Sequence, residues 1–173
     1  MKYRHFLIAA GFAGWGTVAQ ANCPLPMQIL FSCTLENDAR VEFCHEIVSE
    51  ETASASSIHG DLKSYSFARG YKPAELYFTP STTFFNAIDA NAVDKRIYGQ
   101  SMSMFLMTGY ENKDYVYAAM LAVDDDLYDG FLGAELRIFR NADAMSAAQK
   151  GTEVARYFCK NDSIIADQSE FRP

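Results

Sequence analysis

Four cysteines, Cys23, Cys33, Cys44 and Cys159, all follow a leader-like segment, and this arrangement constrains the fold more than any other feature of the chain. Lys2 and Arg4 precede a short apolar run over residues 6–16, and Ala19-Gln20-Ala21 places small residues at the spacing that signal peptidase recognises. The run falls short of the roughly 20 apolar residues that a helix needs to cross a bilayer. Residues 1–21 therefore read as a secretory signal cleaved after Ala21, with residues 22–173 forming a single β-rich domain in the periplasm or outside the cell. A cysteine just behind a leader invites lipid modification, but Asn22 rather than Gly or Ala precedes Cys23, so a soluble product is expected. No later run of about 18 apolar residues occurs, and no membrane span is expected once the signal is removed.

An even cysteine count in an oxidising compartment reads as two disulfides. Zinc would favour paired C-x-x-C spacing, which is absent. Two strand-like runs, 28–35 and 40–44, flank Glu36-Asn37-Asp38-Ala39. A hairpin looped at Asp38-Ala39, or over the four residues 37–40, would set Cys33 opposite Cys44 on one face of the ribbon. The expected pairs are then Cys33–Cys44 and, by remainder, Cys23–Cys159. A catalytic thiol in Cys44-His45-Glu46 is disfavoured, because neighbours along a strand point to opposite faces.

The rest of the chain carries mostly strand signals. Residues 62–69 place Tyr65 and Phe67 at period two, and Gly70-Tyr71-Lys72-Pro73 is turn chemistry ahead of a second strand at 75–79. The most apolar pair, 101–107 and 115–123, is separated by a polar segment, 108–114, with Tyr110 at its expected tip. Residues 134–140 alternate Leu136 and Ile138 against Glu135 and Arg137, as a half-buried strand does, and 152–159 reads as another. Between them, 143–150 has the capping acid Asp143, helix formers, Lys150 and then Gly151, predicting a short helix. Residues 81–93 fit either a helix or a strand. The sum is an all-β fold with one short helix near the C-terminus: a disulfide-stapled antiparallel sandwich or barrel of about seven to eight strands.

Function classes follow from charge and motifs. The chain has 15 Lys+Arg against 22 Asp+Glu, and without the leader's two cations the balance is 13 against 22, a formal charge of −9. Such a chain repels phosphate backbones, which excludes nucleic acid, and attracts a basic protein. Aromatics at loop tips, Tyr71 and Tyr110, and the acidic run Asp124, Asp125, Asp126 and Asp129 are the candidate contact residues for such a partner. The same run has the carboxylate density that calcium favours without the spacing of an EF-hand loop. Met102, Met104 and Met107, with Met120, could offer soft sulfur to Cu(I), though Met102 and Met104 fall on the opposite strand face from Met107 and core packing is the simpler role. No metal or cofactor is assigned. No G-x-S-x-G, H-E-x-x-H or phosphate loop is present, and an envelope hydrolase would have to use His45 or His59 as its base. The oligomeric state is not specified by any pattern in the chain.

The early cysteine pair within Phe31-Ser32-Cys33 and Val41-Glu42-Phe43-Cys44, the strands Tyr65-Ser66-Phe67-Ala68-Arg69-Gly70 and Glu75-Leu76-Tyr77-Phe78, and the late Cys159 resemble the layout of small uncharacterised bacterial envelope proteins. In size, disulfides and β content the chain is also similar to the periplasmic lysozyme inhibitors, although their Ser-Gly-x-x-Tyr loop signature is absent. The resemblance implies a binding protein that occludes the cleft of a cationic enzyme such as a lysozyme or toxin.

Overall fold

The first hairpin sets the frame of the molecule. In the computed structural model, which describes residues 23–47, 59–70, 72–89, 104–123, 131–147, 152–167 and 171, β1 (Met27–Thr34) and β2 (Ala39–Ile47) turn through Glu36, Asn37 and Asp38. Leu35 and Ala39 close the turn: the Leu35 amide donates to the Ala39 carbonyl at 2.7 Å. Asp38 takes the left-handed conformation, φ 63°, that a three-residue hairpin loop requires, and the Asn37 side chain accepts from the Ala39 amide at 3.2 Å.

That turn corrects the expected disulfides. It pairs Cys33 with Val41 and Ile29 with Cys44, three residues away from the register that would bring Cys33 to Cys44. An odd shift in a period-two element exchanges faces. Cys33 therefore points between the sheets and Cys44 away from them, and the bonds are Cys33–Cys159 and Cys23–Cys44.

The described elements continue as β3 (His59–Arg69), β4 (Leu76–Phe78), β5 (Thr83–Asp89), β6 (Met104–Asn112), β7 (Tyr115–Val123), β8 (Phe131–Phe139), α1 (Ala142–Ala147), β9 (Glu153–Phe158) and β10 (Ile165–Ala166). They form two antiparallel five-stranded sheets, in the orders β10-β1-β2-β3-β4 and β5-β6-β7-β8-β9. Packed face to face, the sheets make the expected all-β, disulfide-stapled sandwich. The described residues hold ten strands, more than the seven or eight expected, the additions being β5 and the two-residue β10, while β4, expected over 75–79, is three residues long. The ambiguous segment 81–93 contributes β5 as a strand. In α1 the capping side chain is Asn141 rather than Asp143: Asn141 Oδ1 accepts from the Ala144 amide at 2.8 Å.

Inward-facing residues of both sheets fill the core: Phe31, Val41, Phe43 and Tyr65 from one, Leu106, Tyr110, Leu121 and Leu136 from the other. Tyr65 stacks on Phe78 with ring centroids 4.8 Å apart and meets Phe43 edge-on at 5.1 Å. The sheets join at one corner, where the chain leaving β9 crosses to β1. There the Glu36 amide donates to the Phe158 carbonyl at 2.9 Å and the Lys160 amide to the Thr34 carbonyl at 2.8 Å, beside the Cys33–Cys159 bond.

The second sheet departs from the half-buried reading of its strands. Its outer face is buried too, as a layer of Phe105, Met107, Val116, Met120, Phe139 and Met145 from α1. Glu135 and Arg137, expected in solvent, lie in this layer, and their charges are met locally. Arg137 Nε donates to Glu135 Oε1 at 2.7 Å and Arg156 Nε to Oε2 at 2.6 Å.

Candidate functional site

The outer face of the first sheet is different in kind, because it carries a cleft with a polar floor. Strand alternation sends Arg40, Glu42 and Cys44 outward from β2 and Ser64, Ser66 and Ala68 outward from β3, while Phe43, Tyr65 and Phe67 go inward. Register then aligns residues across strands: Ser32 faces Glu42, Glu42 faces Ser66, and Ser66 faces Tyr77 on β4. The small side chains Ser64, Ser66 and Ala68 leave a trough between the charged residues of β2 and the ring of Tyr77. The turn after β3 walls it. Gly70, with φ 58°, makes the left-handed step that only glycine takes without strain, and Lys72, Pro73 and Ala74 return along the edge of the trough. The cleft is open to solvent and has a volume of about 300 Å³.

Within the cleft, Glu42 is only 2% exposed although it faces away from the core. A carboxylate so enclosed needs partners. Arg40 Nε lies 3.1 Å from Oε1, and the Ser66 hydroxyl donates to Oε2 at 2.9 Å. These contacts fix the carboxylate's orientation and offset its charge. Ser64 is buried beside them, and Cys44, bonded to Cys23, ends the floor. Lys72 is exposed on the wall with no ion-pair partner among the described residues. Tyr77, 54% exposed, presents its ring at the rim. Arg40, Glu42 and Lys72 sum to a formal +1, opposite in sign to the chain as a whole. Over the buried carboxylate, the arrangement presents the half-buried Ser66 hydroxyl, the part-exposed Arg40 guanidinium, the Lys72 ammonium and an aromatic surface.

Of the contact residues expected from sequence, Tyr110 is the one among the described residues. Tyr110 is not a loop-tip anchor: it lies in β6, fully buried, and its hydroxyl donates to the Cys44 carbonyl at 3.0 Å, tying the two sheets together. The reason is the length of the β6–β7 turn. Asn112 pairs with Tyr115, so only Lys113 and Asp114 loop out, and residues 108–112 extend the strand into the core. Tyr71, Asp124, Asp125, Asp126 and Asp129 lie outside the described residues, as does Met102. Met104 packs toward the core between the sheets, whereas Met107 and Met120 face each other on the outer layer of the second sheet, so the described methionines do not form a single set. No group of three or more His, Cys, Asp or Glu side chains suited to a metal occurs among the described residues. His45 is buried on β2, and the side chain of His59, at the start of β3, is outside the described set.

Of these residues only Glu42 stands out in the sequence, as one of the acids Glu42, Glu46, Glu50 and Glu51 near the first hairpin; Arg40, Ser64, Ser66, Lys72 and Tyr77 carry no motif that marks a site. The available signal was the alternation Ser64-x-Ser66-x-Ala68, three small outward residues on a strand with long neighbours on either side. Comparison with protein-family models, with curated proteins and with solved structures returned no match.

Proposed function

We propose that the chain is an exported binding protein that holds its ligand in the cleft on the outer face of the first sheet. The observation that carries this reading is Glu42: a carboxylate enclosed on the outward face of a sheet, oriented by Arg40 and Ser66, at the floor of a cleft of about 300 Å³. Binding sites are concave, mostly apolar and supplied with a few convergent polar groups, and this cleft has that composition. Two features support export: the leader-like segment 1–21 and the pairing of all four cysteines. Both disulfides end on strands of the first sheet, which makes the floor a stiff platform, as a preformed site requires.

The test is amide-resonance mapping of the oxidised mature chain against fractionated small molecules from envelope extract. Saturable shifts at Glu42, Ser64, Ser66 and Tyr77 are expected. Shifts confined to other surfaces would overturn the reading. Export is checked separately by sequencing the amino terminus of the periplasmic product, which should begin at Asn22.

A second reading rests on the formal charge of −9 after the leader: docking to a cationic protein such as a lysozyme or toxin. The layout likeness to lysozyme inhibitors supports the same partner class. The cleft's own positive sign favours a contact elsewhere on the surface. Affinity for a basic lysozyme should be measurable at low ionic strength and fall steeply with salt. Absence of binding at low salt would remove this partner.

A further inference from the structure

We propose that the ligand of this cleft is a sugar acid, a pyranose carrying one carboxylate; the inference rests on the cleft being a binding site. Four observations converge on it. First, the volume of about 300 Å³ is at the lower end of small-ligand pockets, which suits a single ring better than a chain. Second, over the buried Glu42 and Ser64 the floor presents only the half-buried Ser66 hydroxyl and the part-exposed Arg40 guanidinium within a mostly apolar lining, a few polar groups against an apolar surface as a ring with polar edges and C–H faces requires.

Third, Tyr77 stands directly across from Ser66 with more than half its surface open. A tyrosine ring presents a flat apolar face, and the C–H face of a pyranose is its complement. Aromatic platforms for sugars are commonly tryptophans, which the chain lacks after residue 21, so Tyr77 takes that place.

The fourth observation is charge. Glu42 would repel an anion, but Arg40 sits against it at 3.1 Å, and Lys72 then leaves the lining with a formal +1. A neutral sugar would leave the Lys72 ammonium, for which the described residues supply no ion-pair partner, to water alone, and a basic peptide would be repelled by it. A carboxylate on the ring meets it at the wall while the hydroxyls face the floor. The negative chain around the cleft slows anion approach, so the interaction depends on short-range contact rather than on long-range attraction.

Titrating the full mature, disulfide-bonded chain with glucuronate, galacturonate, glucose, acetate and an oligolysine peptide decides the matter, with amide resonances as the readout. At least one uronate should shift Glu42, Ser64, Ser66 and Tyr77 saturably and bind about tenfold or more tightly than glucose or acetate. Lys72→Gln should reduce uronate affinity to that for glucose, and Tyr77→Ala should weaken both sugars about tenfold. Both side chains are exposed, so unchanged far-ultraviolet dichroism and melting should accompany these losses. Equal affinity for uronate and glucose, or for uronate and acetate, would overturn the inference. So would oligolysine shifting these amides while no saccharide does, an outcome that leaves the binding cleft standing. If neither these probes nor the extract fractions move the cleft amides, both the ligand class and the cleft reading fall.

Discussion

At the scale of single residues, the sandwich is set by where it places charge and hydroxyl groups out of water. Glu135 accepts from two arginines in a layer of Phe, Val, Met and Ala side chains, with the Arg137 guanidinium 5.6 Å from the centre of the Phe105 ring. Removing this anion leaves the buried Arg137 and the part-buried Arg156 without the carboxylate they share. Glu135→Gln should therefore lower unfolding free energy by about 3–5 kcal/mol, measured by urea denaturation, a far larger effect than loss of a surface pair such as Arg69–Glu75, worth about 0–1 kcal/mol. Tyr110→Phe should cost about 1–2 kcal/mol by leaving the Cys44 carbonyl without its buried donor, with ligand affinity at the cleft unchanged. An equal loss of binding in Tyr110→Phe would show that the inter-sheet tie also shapes the floor. Which of these residues would be buried was not legible in their identities. Glu135 and Arg137 alternate with apolar neighbours as solvent-facing residues do, and only the cover over the second sheet turns that alternation into two buried faces.

At the scale of elements, turn length and close approach decide most. The three-residue loop over Glu36, Asn37 and Asp38 sets the register of β1 and β2 and hence which face each cysteine takes. The two disulfides are unequal, because their loops span 126 and 21 residues. In the chain-entropy model, Cys33→Ser with Cys159→Ser should cost about 5 kcal/mol and Cys23→Ser with Cys44→Ser about 3 kcal/mol, which denaturation of the two double variants can compare. The second pair ends in the cleft floor, so its loss should also broaden the Ser64 and Ser66 amide resonances. Where α1 rests on the second sheet, a Cβ on Gly109 would lie 2.4 Å from Met145 Sδ and 2.7 Å from Val116 Cγ1. The thioether can swing aside, but β-branched Val116 is stiff at χ1. Gly109→Ala should cost about 1–3 kcal/mol in thermal or denaturant unfolding, and Met145→Ala in the same background should recover part of it. The sequence marked strand and helix types well at this scale because period-two patterning and Asn-Asp or Gly turn chemistry are local. Registers and loop lengths, on which facing depends, are settled by contacts between strands.

At the scale of the whole molecule, two sheets closing on an aromatic core make stability depend on phenol ionisation. Burial raises the Tyr65 phenol well above its ordinary value of 10.0, with further elevation from Tyr117 and Tyr157, and burial also raises Tyr117. A raised folded-state value means that the unfolded chain ionises first as pH increases. The stabilisation is therefore complete below pH 10 and is lost progressively as pH rises from there toward the folded-state values. Denaturation midpoints measured from neutral pH upward should be flat with respect to these groups until about 10 and then fall, and Tyr65→Phe should flatten that fall. The two-signed electrostatics also belong to this scale. A chain whose residues 22–173 carry a formal charge of −9 has a cleft whose described charges sum to +1, because strand register sets Arg40 beside one paired carboxylate and the turn after β3 brings Lys72 to the wall.

By itself the sequence determined the class of fold, the presence of disulfides and the strands that carry the core, since each depends on local periodicity, turn residues and cysteine parity. Tertiary structure alone decided the pairing of the cysteines, the burial of Tyr110 and Glu135, and the assembly of Glu42, Ser66 and Tyr77 into one row beside Arg40. The physical reason is common to all three. A side chain's facing in a sheet reverses with each one-residue change of register, and register is chosen by the summed packing of distant strands rather than by any short stretch of chain.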